Sequence, residues 1–378
     1  MRRMLLFIFL IMLSTEEGNA QNKLTIIIDS MPAKPGANFF LAGNFNSWNP
    51  GDKSSEFQYE NNQWVLIKNI PSGHYEFKIT RGDWKTVEEH KDYSPMNNRT
   101  LELSGDSTIH LVVGAWADDR PGGNKLETHT ASPQVHILDT AFNMPQLGRR
   151  RRIWIYLPKD YATTKKKYPV LYMQDGQNVF DAATSYSGEW GVDEYLDTIK
   201  NQCEESIVVA IDNGLNKRMN EYNPWDFQNF GKGEGEEYVD FLVQTLKPYI
   251  DAHFRTLKSK KNTSIAGSSM GGLISLFAAL KYPKVFGSVG VFSPAFWTAS
   301  GIDSTVLADA KKLKARLFFY AGGKEGGTMI PDMKRIEKEI KKESKSTSKQ
   351  VIDKSAKHNE AAWREHFPEF YQWVFCKH

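Results

Sequence analysis

Gly267-Ser268-Ser269-Met270-Gly271 has the form G-x-S-x-G, the segment of this chain best suited to nucleophilic chemistry. Residues 263–266 upstream are short and partly β-branched, as a buried parallel strand would be. Downstream, Leu273, Leu276, Phe277 and Leu280 recur at i, i+3, i+4 and i+7 and predict a helix ending before Pro283. The pentapeptide therefore falls on a strand-to-helix turn. Small residues there let the backbone cross closely while the Ser269 hydroxyl is held outward, as in a nucleophile elbow. The implied chemistry is that of a serine hydrolase.

A serine hydroxyl is a weak nucleophile until a base takes its proton, and the base needs an acid to fix its tautomer. In this kind of turn-based site the chain order is serine, acid, histidine. Of nine histidines only His358, His366 and His378 follow Ser269. His366 lies in an aromatic-rich helical pattern and His378 is terminal, whereas His358 sits in a loop after the last strand signal; it is the expected base. Glu325, in Gly322-Gly323-Lys324-Glu325-Gly326-Gly327 after the preceding strand signal, is the expected acid, with Asp332 and Asp353 as rivals. Stabilising an oxyanion takes two donors. The backbone N–H of Met270 and that of Gln177, in the loop after residues 170–173, are assigned to this role. Asp175 and Asp181 in the same loop read as structural acceptors. The loop after residues 207–211 opens on the same mouth, so Asn213, Arg218, Glu221, Tyr222 and Trp225 are candidate substrate-binding residues.

These groups need a scaffold that gathers strand ends. Strand signals at 152–157, 170–173, 207–211, 264–266, 288–292, 317–321 and 350–352 alternate with amphipathic stretches such as 236–252. That alternation predicts an α/β domain over 134–378, a mostly parallel sheet with helices on both faces and function at the strand carboxyl ends. Before it, residues 21–115 show short strand runs broken by turns, a small all-β sandwich; residues 116–133 read as a linker. Residues 1–20, with Arg2, Arg3, an apolar run over 4–13 and Gly18-Asn19-Ala20, read as a cleavable signal peptide for a secreted or periplasmic protein. Two cysteines, Cys203 and Cys376, exclude a multi-cysteine metal site and leave open whether they pair. Net charge is +3, and the basic runs, including 149–152, lack interleaved aromatics, so they read as solvated faces rather than a nucleic-acid footprint. No metal, cofactor, nucleic-acid partner or membrane span is expected.

Tyr168-Pro169-Val170-Leu171-Tyr172-Met173, Asp175-Gly176-Gln177-Asn178, the 267–272 elbow, Gly322 to Glu325 and His358-Asn359-Glu360 together resemble an esterase family of α/β-hydrolases. That family includes esterase D, enterochelin-type siderophore esterases, feruloyl and acetylxylan esterases and mycolyl transferases. The resemblance implies an α/β-hydrolase fold over 134–378, with Ser269, Glu325 and His358 at the triad positions; many relatives carry aspartate where Glu325 stands. Residues 41–50, with Tyr75-Glu76-Phe77-Lys78 and Trp84, resemble the immunoglobulin-like early-set sandwich of starch- and glycogen-binding modules. It implies Trp48, Lys78 and Trp84 as glycan contacts. The combined expectation is a serine carboxylic-ester hydrolase acting on acetyl or feruloyl esters of carbohydrates. The alternatives are a siderophore trilactone esterase, an acyltransferase, or a glycan-binding protein with an inactive hydrolase fold.

Overall fold

The computed structural model describes residues 21–46, 48–93, 96, 98–119, 129–185, 188–199, 203–227 and 231–376. The expected signal peptide and the middle of the expected linker lie outside these residues. The chain divides into two compact units, Met1–Gly123 and Asn124–His378.

The first unit is all-β. Its strands are β1 (Gln21–Ser30), β2 (Phe40–Gly43), β3 (Gln58–Glu60), β4 (Gln63–Pro71), β5 (Gly73–Thr80), β6 (Glu88–Glu89), β7 (Arg99–Leu103), β8 (Ser107–Val112) and β9 (Ala115–Trp116). They form sheets β3-β4-β1-β8 and β2-β5-β7, with a small β6-β9 ribbon. Alternation decides which face is dry: Leu24, Ile26 and Ile28 of β1 point inward and meet Leu41 of β2 and Phe77 and Ile79 of β5. Each such side chain contributes about 1.5–3 kcal/mol by leaving water.

The second unit carries β10 (Val135–Met144), β11 (Arg149–Tyr156), β12 (Val170–Gln174), α1 (Val192–Leu196), β13 (Ile207–Ile211), α2 (Arg218–Glu221), α3 (Gly235–Phe241), α4 (Lys247–His253), β14 (Thr263–Ser268), α5 (Met270–Lys281), β15 (Ser288–Phe292), α6 (Ile302–Asp309), β16 (Arg316–Gly322), α7 (Met329–Glu343), β17 (Thr347–Asp353) and α8 (Glu360–Phe375). The sheet order is β10-β11-β13-β12-β14-β15-β16-β17. The β10–β11 and β11–β13 pairs are antiparallel and every other pair is parallel. Buried clusters lie on both faces: Tyr172, Ile265 and Leu273 belong to one, Met173, Phe292 and Phe370 to the other. Strands buried on both faces read as continuous apolar runs, and the seven strand signals fall on β11 through β17. β10 gave no such signal, because it is an edge strand with an exposed, irregular pattern and two shifts of register. The 236–252 stretch is helical, as its periodicity predicts, with a wider turn over Leu242–Leu246 joining α3 to α4.

Cys203 and Cys376 are joined by a disulfide, 173 residues apart in sequence. Beside it the Glu204 N–H donates to the Phe375 carbonyl, and the Tyr371 hydroxyl to the Glu204 carbonyl. Among the described residues no helix is long and apolar enough to cross a membrane.

Residues 129–132, expected as part of the linker, are instead anchored to acids of the second unit. The Thr130 N–H donates to Asp181, its hydroxyl to Glu189, and the Ser132 N–H to Asp193. Burial pushes the Asp193 carboxyl up to about 7, opposed by the Ser132 N–H and reinforced by the charge of Glu194. A carboxyl whose folded pKa is raised stabilises most below its unfolded value, near 4, and that contribution is lost as pH rises through 7. We therefore expect thermal stability to fall between pH 5 and pH 8 by roughly 2–4 kcal/mol, and Asp193→Asn to flatten the slope. Melting curves of both proteins across that range check this; an equally steep Asp193→Asn profile would assign the titration to another group.

Candidate active site

The adjacent strands β14, β15, β16 and β17 end together, with Ser268 opposite Phe292, Phe292 opposite Tyr320, and Gly322 opposite Asp353. The residue following each end is therefore a neighbour of the next. Ser269 follows β14 at φ 57°, ψ −122°, a backbone state unfavourable for a side-chain-bearing residue. It is held there by hydrogen bonds to the next strand end: its N–H donates to the Phe292 carbonyl (2.9 Å) and its carbonyl accepts from the Ala295 N–H (3.1 Å). Gly267 makes the turn possible, since a Cβ there would stand 2.7 Å from the backbone of Gly271. The Ser269 side chain is only partly covered and heads the buried helix α5.

Glu325 sits in the loop after β16 with a fully buried side chain. Its Oε1 accepts from the Ser293 hydroxyl (2.6 Å) and from the Gly322 N–H, and its Oε2 lies 3.0 Å from His358 Nδ1. Gly322 permits this, because a Cβ there would be 2.5 Å from the Ala356 carbonyl oxygen of the loop that carries His358. The imidazole side chain is 34% exposed, so one ring nitrogen meets a buried carboxylate while the ring remains accessible. Trp363 of α8 stands perpendicular to that ring at 5.1 Å and donates its indole N–H to the Ser293 hydroxyl (2.9 Å). A line of bonds thus runs Trp363, Ser293, Glu325, His358. Such an arrangement fixes the imidazole tautomer with its proton on Nδ1 and leaves Nε2 able to accept one. The rival acids are engaged elsewhere: Asp353 with Ser355 and His366, Asp332 with Arg335.

Met270 is the first residue of α5, so its N–H lies among the unpaired donors at a helix N-terminus, where the macrodipole favours negative charge. Gln177 is the middle residue of a tight turn, Gly176–Asn178, that follows β12. The β12 loop abuts the elbow: a Cβ on Gly271 would be 3.0 Å from Gln174 and 3.2 Å from the Asp175 carboxylate. Asn178 reaches Glu360, at the start of α8, through its side-chain amide (3.3 Å).

The expected substrate loop divides in two. Glu221 and Tyr222 are fully buried, so the substrate contact expected of them is replaced by support of the loop from beneath. Glu221 accepts from Arg149 and Arg151, and the Tyr222 hydroxyl accepts from the Asp175 N–H. Arg218 grips Asp175 through two bonds of 2.7 and 2.8 Å, and Asn213 donates to the same carboxylate. Although burial alone would lower the guanidinium pKa, the Asp175 carboxylate raises it, so the pair is a fixed strut. Trp225 packs edge-on against Phe277 at 5.6 Å. Asp175 and Asp181 are the structural acceptors expected, Asp181 binding Thr130, His129 and Ala183. The basic run 149–152 is only partly the solvated face expected, with Arg150 exposed and Arg149 and Arg152 half-exposed but paired with carboxylates. It lines a cavity of about 620 Å³ with Gln177, Asn213 and Lys217, and Arg151 is buried.

Residues 144–373 match the family described as Putative esterase. The chain belongs to this esterase family. It is a carboxylic-ester hydrolase with an α/β-hydrolase domain. It is 26% identical over 245 residues to an endo-1,4-beta-xylanase/feruloyl esterase of Xylanibacter ruminicola, covering 64% of this chain and 31% of that one. It is 27% identical over 217 residues to the iron(III) enterobactin esterase of Escherichia coli, covering 57% of this chain and 49% of the other. The matches thus span about a third and a half of these relatives. In fold, the enterochelin esterase of Shigella flexneri superposes over 89% of this chain and 87% of its own, with TM-score 0.50 at 16% identity.

In the esterase, sequence reasoning passed over Ser293 and Trp363. Both carry a signal: Ser293 follows β15 directly, on the same edge of the sheet as the Ser269 turn and the Glu325 loop, and Trp363 lies in the first turn of the helix that His358 precedes. It also passed over Trp297, 41% exposed in the loop after β15 and in edge contact with Phe227 at 5.8 Å. In the first unit, Trp48 and Trp84 are half-exposed and 6.2 Å apart. Lys78 lies on β5, half-exposed. The Asn44 and Asn46 amides of the same motif are occupied with backbone, Asn46 bridging Gly43 and Leu41.

Proposed function

We propose that this esterase works as a serine hydrolase through an acyl-enzyme, with Ser269 as nucleophile, His358 as base and Glu325 as the acid that orients it. The observation that carries the proposal is the Glu325–His358 bond, made by a buried, doubly anchored carboxylate after β16, on the same sheet edge as the strained Ser269 turn and one strand removed from it. Ser269 Oγ attacks the ester carbonyl carbon while His358 Nε2 takes its proton. The N–H groups of Met270 and Gln177 hold the oxyanion. Collapse expels the alcohol, which receives the proton from His358, and water releases the acid by the same steps in reverse. These groups suffice for ester cleavage without a cofactor.

The preferred substrates are acetyl or feruloyl esters of carbohydrates. The feruloyl esterase relative, the exposed Trp297 as a face for an aromatic acyl group, and the paired Trp48 and Trp84 as a sugar-stacking surface support this. A siderophore trilactone is the second reading, supported by the enterobactin esterase relative and the arginine-lined cavity. Export behind a cleaved leader is supported by the disulfide, which persists in oxidising compartments. Hydrolysis of methyl ferulate, acetylated xylan and a trilactone by the mature chain, with fluorophosphonate labelling mapped to Ser269, tests the proposal. Labelling of another residue, or no turnover of any ester, would overturn it.

A further inference from the structure

The 149–152 run supplies four arginines to one cavity, and their partners divide them sharply. Arg149 and Arg151 share Glu221, and Arg149 also binds both oxygens of Glu234. Arg152 pairs with Asp212 (2.8 Å) and lies over the Trp154 ring at 4.6 Å. Three arginines are therefore matched by three carboxylates. Arg150 is exposed and, among the described residues, forms no ion pair; Lys217 across the cavity is also exposed and forms none. Both line the same space of about 620 Å³ as Gln177.

Neither cation is tied up in a close ion pair, Lys217 sensing Glu234 only at longer range, so two positive charges facing one concavity focus their field on whatever enters. Gln177 ties this space to the reaction, since its N–H is the proposed oxyanion donor. We infer that the Arg150–Lys217 cavity is an anion subsite, and that the substrate is an ester bearing a carboxylate or similar anion next to the scissile bond, on its acyl or its alcohol side. This rests on the serine-esterase proposal. An anion there replaces repulsion by charge-assisted hydrogen bonds, which exceed neutral ones in strength. The three matched arginines line the same wall as Arg150.

Two matched ester pairs test this: mono-p-nitrophenyl glutarate against p-nitrophenyl pentanoate, with the anion on the acyl side, and 4-acetoxybenzoate against 4-acetoxybenzamide, with it on the alcohol side. The readout is the anionic-to-neutral ratio of kcat/KM in the wild type and in Arg150→Glu/Lys217→Glu, each shown folded by circular dichroism; Arg150→Gln/Lys217→Gln replaces the double variant if it does not fold. Intrinsic ester reactivity cancels between the two proteins. In at least one pair the ratio is expected to fall about tenfold, or about 1.4 kcal/mol, in the variant. The wild-type ratio in that pair should also shrink as salt rises from about 50 to 500 mM, where screening shortens to a few Å. A shift below threefold in both pairs overturns the subsite. No turnover of any of the four esters by folded wild type would instead sink the serine-esterase proposal beneath it.

Discussion

Ser269→Ala is expected to lower kcat on any ester by ~10⁴ to 10⁶, leaving only what binding and the oxyanion donors supply. The size follows from the absence of a substitute: Ser268 is buried within β14, and Ser293 donates its hydroxyl to Glu325. Fold stability should change little, because the turn at φ 57° is kept by its backbone bonds and the hydroxyl is only partly covered. Active-site titration and steady-state rates, with melting curves alongside, measure both. Residual activity above about one per cent of wild type would mean that Ser269 is not the nucleophile.

Glu325→Gln is the second large effect, about 10³ to 10⁴ in kcat with little change in KM. A glutamine amide fills the same volume, and its oxygen can still receive the Ser293 hydroxyl and the Gly322 N–H. Its NH₂ group then faces His358 Nδ1, and two donors cannot share that contact. The imidazole must move its proton to Nε2, the atom that has to accept from Ser269. Glu325→Asp should retain more activity than Glu325→Gln, since it keeps the charge while shortening the reach by one methylene. If Glu325→Gln lost less than about tenfold, the orienting acid would have to be sought at Asp353 or Asp332, whose present partners are Ser355, His366 and Arg335.

The parts of this design legible from sequence are those written locally. An apolar run followed by a polar turn marks a parallel strand and its carboxyl end, and that rule pointed to Ser269, Glu325, His358 and the Gln177 loop, all of which lie after such strands in the structure. What escaped is written across long separations. Arg151 and Glu221 are 70 residues apart, so a basic run looks the same in sequence whether water or carboxylates receive it. Glu221 and Tyr222 stand in a stretch with little periodicity, where a polar or aromatic residue gives no sign of which way it faces. Ser293 and Trp363, also 70 residues apart, meet only because β15 and α8 pack together. β10 escaped for the opposite reason: exposure at the sheet edge removes the apolar pattern that marks a strand.

The disulfide between Cys203 and Cys376 encloses Ser269, Glu325 and His358 within one covalent ring. A protease that cuts a surface loop anywhere between those cysteines opens the ring without releasing a fragment. The two pieces stay joined, and the cut ends are held near each other by the intact sheet. In a protease-rich setting the enzyme should therefore outlive its first cleavages, migrating as two bands only after reduction while still turning over substrate.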